Sequence, residues 1–213
     1  MASRDRPPTR ADVQAAGFPV GGEPLALDLA DTLLLATDPP IDLLADAARA
    51  RQFWALQQAR LPPGARPPGL AATRALRAAI RDLLDARLAG RALPPPAIAR
   101  VNAAAAAAPG SPHLVLGNDG GGLDVDWRWQ AHDARDLALA AAARSAIEVL
   151  TDAAGRLRRC ANPACSMLFV AETARRQWCS PNICGNRARV ARHYARTRSR
   201  AVSRAGDSRD PAR

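Results

Sequence analysis

Cys160, Cys165, Cys179 and Cys184 form two equal pairs, with four residues inside each pair and thirteen between them. Two such pairs can supply the four thiolates of a tetrahedral metal site. Each pair contains a turn-former, Asn162-Pro163 in the first and Pro181-Asn182 in the second. Gly185 follows the last thiol and is expected to take a positive φ that other residues resist. One structural zinc ion is the reading these residues favour. A redox switch or an iron–sulfur cluster would draw on the same ligands. Four buried unligated thiols are the plain alternative, and their grouping into equal pairs speaks against it. A catalytic zinc keeps one position open for water, and four Cys leave none. His193 has the chemistry of a ligand, but the shell is already full, so a surface or phosphate-contacting role suits it better.

A second set of residues follows the thiols. If Asn186 to Arg200 is a helix, then Arg189, Arg192, Arg196 and Arg200 fall within about 80° of one another, with His193 beside them. Val190 and Tyr194 lie to one side and are expected to pack on Trp178 and Phe169. Arginine forks onto phosphates and onto guanine edges. Arg187, beside the second thiol pair, either braces the fold or adds a phosphate contact, and Arg198 belongs to the same basic set. A charge row is ordinarily a solvated face, but such a face mixes signs, and this segment has no acid. Nucleic acid, with DNA preferred, is the expected partner.

Charge distribution agrees. All 30 basic residues are Arg. From residue 156 onward there are 14 Arg against Glu172, Asp207 and Asp210, a net of +11, while the first 155 residues net −1. A polyanion therefore suits the C-terminal part alone. Aromatics are 4% of the 213 residues and Ala is abundant, so the core must come from Leu, Ile, Val and Ala, which favours helix on helix. The run from Leu25 to Ala36 is broken by Asp28 and Asp31, no segment reads as a membrane span or export signal, and a soluble cytoplasmic chain is expected. Four Cys in a reducing compartment are not read as two permanent disulfides.

The elements that must hold these residues read as mainly α with a β-hairpin: a helical N-terminal domain and a small treble-clef-like zinc module. Residues 1–17 read as a flexible arm. Residues 18–155 form the helical domain, residues 156–200 the zinc module with its Arg-rich helix, and residues 201–213 a disordered tail. Within the helical domain, helices are expected over Leu25–Ala36, from a cap at Asp42 to about Arg60, over Ala71–Ala89 ending at Gly90, and over Ala97–Ala108. His113–Leu116 and Leu123–Trp129 flank Gly117-Asn118-Asp119-Gly120-Gly121-Gly122, and alternation in the second run marks a hairpin. Asp133 caps a last helix to about Ala154. The zinc module reads as knuckle, hairpin, knuckle, helix, with strand-like stretches at Met167–Val170 and Arg175–Trp178.

The segment Cys179-Ser180-Pro181-Asn182-Ile183-Cys184-Gly185-Asn186-Arg187 resembles the CGNR zinc finger. Leu168-Phe169 after the first pair, Arg175-Arg176-Gln177-Trp178 before the second, and the Arg-rich helix extend the likeness to about 40 residues. Pro24-Leu25-Ala26-Leu27-Asp28-Leu29-Ala30-Asp31-Thr32 is similar to the L-D-F-x-N-T opening of the ABATE domain, with Trp54 where a Trp is usual. Leu29 and Asp31 stand where Phe and Asn are common. The resemblance implies a bacterial stress-induced transcription regulator.

The front domain offers less chemistry. Asp28, Asp31 and Thr32 are candidates for a small-molecule effector pocket, with capping and structure as the competing reading. Trp54, Trp127 and Trp129 suit packing better than a ligand cage. No Ser–His–Asp or Cys–His arrangement is legible, and Gly120-Gly121-Gly122 lacks the Gly-Lys-Thr of a phosphate loop, so no enzyme is expected. Two functions remain. One is a DNA-binding regulator whose front domain senses an effector or forms a homodimer. The other is an interaction protein whose zinc module is a scaffold that docks on RNA or an acidic protein.

Overall fold

The computed structural model describes residues 15–18, 22–117 and 121–207, with side chains in the last helix described to residue 198. Most of the expected flexible arm, the Asn118-Asp119-Gly120 part of the hairpin turn and residues 208–213 lie outside the described residues.

Helix α1 (Leu25–Ala30) is buried at every position and forms the centre of the front domain. With it α2 (Ala47–Leu56), α3 (Leu70–Leu88), α4 (Pro95–Ala107) and α5 (Ala134–Thr151) complete the core, α1 lying against α3 and α5. The scarcity of aromatics is explained here. Ala138, Ala140, Ala142, Ala143 and Ala146 of α5 are buried, which lets neighbouring helices approach closely. Ser145 Oγ accepts the backbone N–H of Ala26 at 3.1 Å across that contact. Pro95 opens α4 without forfeiting a helical hydrogen bond, and Gly90, at φ 63°, stops α3. Trp54 is fully buried and donates to Thr73 Oγ1 at 3.1 Å, as packing rather than as a cage.

Two expected helices are shorter. The first ends at Ala30 because the chain then turns into a two-residue ribbon, β1 (Leu33–Leu34) with β2 (Ile41–Asp42). Asp42 caps no helix; it accepts the N–H of Leu44 and ion-pairs with Arg77. Asp46 is the cap of α2, accepting Arg49 N–H at 2.8 Å. The hairpin is longer than expected, β3 (Gly110–Leu116) pairing with β4 (Leu123–Trp129) in full register. Asp133 caps α5 as expected.

In the zinc module, β5 (Leu157–Arg159) pairs antiparallel with β6 (Leu168–Val170), bracketing the first thiol pair. The expected strand at Arg175–Trp178 is a turn, in which Arg176 N–H reaches Thr173 O. Helix α6 (Asn186–Asp207) follows the second pair and continues past Arg200, so helix replaces the expected disordered tail up to Asp207. Leu157 and Leu168 belong to the same apolar core as α1, while Phe169 and Ala171 pack with the thiols in a second cluster. No helix among the described residues is long and apolar enough to cross a membrane.

Candidate metal centre and nucleic-acid interface

The four sulfurs converge to within 4.8 Å of one another. Cys165 lies 3.8 Å from Cys179, and Cys179 lies 3.8 Å from Cys184. A tetrahedron with zinc–sulfur bonds near 2.3 Å has sulfurs about 3.8 Å apart, so the set fits the ion. Among the described residues this is the one such cluster of His, Cys, Asp or Glu, and His193 is not in it.

Local backbone chemistry builds the site. Asn162 Oδ1 accepts the N–H of Ala164, and its carbonyl accepts the N–H of Cys165, curling the first knuckle. Its Nδ2 reaches Cys184 Sγ at 3.5 Å, joining the two pairs. The second knuckle is a wide turn over Pro181–Gly185 that leads straight into α6. Gly185 does not take the positive φ expected of it. Its need is space: an added Cβ would sit 3.3 Å from Trp178 Cδ1.

The crowded thiols differ in proton affinity. The contact with the Cys179 sulfur draws the Cys165 thiol down to about 5, while the same contact raises Cys179. Burial raises Cys160. Only deprotonated sulfur ligates, so filling the site releases protons.

Every described side chain from Arg189 to Arg198 stands in solvent on α6. Arg189, Arg192 and Arg196 share one side with His193, and the backbone carries Arg200 on the same row. Arg187 and Arg198 fall on the opposite side of the helix, so the basic set is a row plus two outliers. Arg192 and Arg196 donate back to the carbonyls of Ala188 and Arg192 at 3.3 Å, which lays their side chains along the helix. Val190 and Tyr194 do not pack on Trp178 and Phe169; they are 45% and 69% exposed. Arg176 takes that place, lying 4.4 Å over the Phe169 ring.

The ABATE family model, described as "Putative stress-induced transcription regulator", matches residues 23–153, and the CGNR zinc finger model matches residues 156–197. The chain belongs to the ABATE family. No curated protein matches the chain significantly. With the finger match and the sulfur geometry together, the knot is the site of one structural zinc ion.

The opening segment of this ABATE domain is where the two parts of the chain join. Asp31, fully buried, accepts the backbone N–H of Leu168 at 2.9 and 3.1 Å and faces Arg81 Nη1 at 3.3 Å. Arg81 also donates to the Ser166 carbonyl and pairs with Asp85, which pairs in turn with Arg159. Glu23 accepts the N–H of Val170 and ion-pairs with Arg176. Asp28 pairs with Arg60 at 2.6 Å and accepts from Gln57. Thr32 donates to the Leu29 carbonyl and accepts from Arg77. Burial pushes Asp28 up to about 6, with Arg60 offsetting part of it, and raises Asp31 as well.

Asp28 and Asp31 also border a cavity of about 900 Å³ between the two parts. Phe18, Leu43 and Met167 give it apolar wall, and Cys165, Cys179 and Cys184 also line it. Thr32 is not on it. Of the clamp residues, Arg176 stands in the Arg175-Arg176-Gln177-Trp178 stretch of the finger, while Glu23, Arg81 and Ser166 have no local sequence motif, because their partners are far away in the chain.

Proposed function

We propose that this ABATE-family protein is a transcription regulator that binds DNA through α6. The observation that carries the reading is the solvent-exposed row of Arg189, Arg192 and Arg196 on a helix rooted in the metal knot, with no acid between Glu172 and Asp207. A helix fits the major groove, where guanidinium groups meet phosphates first and guanine edges second. Arg200 and His193 extend the row, while Arg187 and Arg198, on the opposite side of the helix, add to its positive field.

The rest of the reading follows the architecture. The cavity beside the knot is the place for a small effector, since a ligand there touches both the ABATE segment and the thiol-bearing turns. The protein works in the cytoplasm as a homodimer and catalyses no reaction.

Binding of the zinc-loaded chain to duplex genomic fragments, followed by fluorescence anisotropy across a salt series, tests the central claim. Contact with six phosphates gives a slope of log affinity against log salt of roughly −5. A slope near zero sinks the reading. Equal retention of unrelated RNA, or indifference to DNA alongside capture of an acidic protein, turns the zinc module into a scaffold for another partner.

A further inference from the structure

The β3–β4 hairpin carries an apolar face that nothing in the described chain covers. Directly opposed residues in an antiparallel pair share a face, and the face alternates along each strand. Register therefore puts Leu114 with Val125, and Leu116 with Leu123, on one side. His113 with Asp126, and Ser111 with Arg128, lie on the other. The polar side is satisfied within itself: Arg128 pairs with Asp126 at 2.9 Å, and Asp124 accepts the N–H of Val125.

Cover ends part-way along the apolar side. At the base, Trp127 stacks under Arg144 of α5 at 3.8 Å and Trp129 packs on the core. Beyond them Leu114, Leu116, Leu123 and Val125 are 70%, 79%, 69% and 53% exposed. Among the described residues the sheet has these two strands. A two-stranded ribbon with a bare aliphatic face is marginal in water and needs a second layer.

We infer that this face is the contact between two copies of the chain. Its chemistry suits a copy of itself: four aliphatic side chains with no charge or hydrogen-bonding group to select an unlike partner. A two-fold axis opposes the patch to itself, so one surface serves both subunits. The area also approaches what a stable dimer needs. A buried aliphatic side chain withdraws on the order of 100 Å² from water, so the four exposed ones supply about 250–300 Å² per copy. Across two copies that is about 550 Å², against roughly 700 Å² of apolar surface in the smallest stable interfaces. Pro112, which the register puts on the same face and which is exposed, adds to the total.

This inference does not depend on DNA binding, and its test contains no nucleic acid. Sedimentation velocity of the zinc-loaded full chain, from about 1 to about 100 µM, reads the dimer at the micromolar or tighter affinities such interfaces give. The informative variant is Leu116→Glu with Leu123→Lys, which places opposite charges across one register pair and so preserves the hairpin. The wild type is expected to sediment as a dimer. The double variant is expected as a monomer, with helix content and zinc stoichiometry unchanged. Should that variant lose zinc or helix content, Leu114→Ala with Val125→Ala takes its place and is expected to raise the dissociation constant at least tenfold. A wild type that stays monomeric throughout the range overturns the inference, even if a different protein co-purifies with it. So does a dimer that both variants leave intact.

Discussion

Replacing Asp31 with Ala removes the side chain that ties the helical domain to the backbone of the zinc module. Leu168 N–H loses both carboxylate oxygens, at 2.9 and 3.1 Å, and Leu168 is only 1% exposed. A buried donor left without an acceptor costs about 1–3 kcal/mol. Arg81, also buried, loses one of three partners but keeps Asp85 and the Ser166 carbonyl, which limits the cost of its stranded charge. Relief acts in the other direction, because burial already makes the Asp31 carboxylate expensive to ionise. The net loss is about 2 kcal/mol. For a chain of this size that lowers Tm by roughly 4–8 °C. Thermal unfolding of the zinc-loaded protein reads the stability. Transfer of zinc to a chromogenic chelator, expected to be faster in the variant, reads the docking. Asp31→Asn keeps an acceptor for Leu168 and is expected to retain most of the stability. If Asp31→Ala stays within about 0.5 kcal/mol of wild type and releases zinc at the wild-type rate, the clamp does not hold the two parts together.

Three further outcomes are expected. Cys165→Ser, or a strong chelator, should release the zinc and expose Phe169 and Trp178, seen as a red shift in Trp emission; an unchanged spectrum would show that the knot stands without metal. Arg189→Ala with Arg192→Ala and Arg196→Ala should bring the salt slope from roughly −5 to about −2 while zinc content stays the same, at roughly 0.9 per phosphate lost. Asp28 gives a pH signature: its carboxyl sits at about 6 in the folded chain against 3.8 otherwise. The folded state thus keeps a proton that the unfolded chain has shed. Its contribution is greatest below pH 4 and declines as pH rises to about 6, by about 3 kcal/mol. Asp28→Asn lacks that decline, so urea unfolding of the two proteins should show a stability difference that drifts across this window, and a constant difference would count against the burial argument.

How much of this was legible in the sequence depends on range. The four thiols, their turn-formers and the long helices α3 and α5 were readable because spacing and 3.6-residue periodicity are local signals. Strands β5 and β6 have three residues each, too few for a period to emerge, and the second was paired with the wrong neighbour. The helix expected from Asp42 failed for another reason: Asp42 has a stronger partner in Arg77 than any helix N-terminus. The clamp was hidden because Asp31 and Leu168 are 137 positions apart. One signal did exist. Arg77 and Arg81 interrupt the apolar row of α3, and Asp28 and Asp31 interrupt the apolar run that packs against it. Charges of opposite sign in two apolar stretches of one chain point to a buried pairing. Tyr194 and Val190 misled because their helix leaves the body within its first turn.

That early departure matters for how an effector signal could travel. Helix α6 touches the rest of the protein mainly through the second knuckle, so its direction is set by that turn. The turn in turn is held by Arg176, which donates to the carbonyls of Val170 and Cys179 and pairs with Glu23. Glu23 also receives the N–H of Val170, so one carboxylate of the ABATE segment grips both β6 and the residue that positions Cys179. Glu23, Arg176 and Cys179 all border the cavity. A ligand that competes for the Arg176 guanidinium must therefore loosen the second knuckle, and with it the aim of the arginine row, without touching the zinc–sulfur bonds. Glu23→Gln makes this measurable. It keeps an acceptor for Val170 but removes the carboxylate charge that pairs with Arg176, and the expected result is unchanged zinc content with weaker DNA binding at an unaltered salt slope. A loss of slope would instead place Glu23 in the phosphate-binding surface, and unchanged affinity would mean that the knuckle is held by the metal alone.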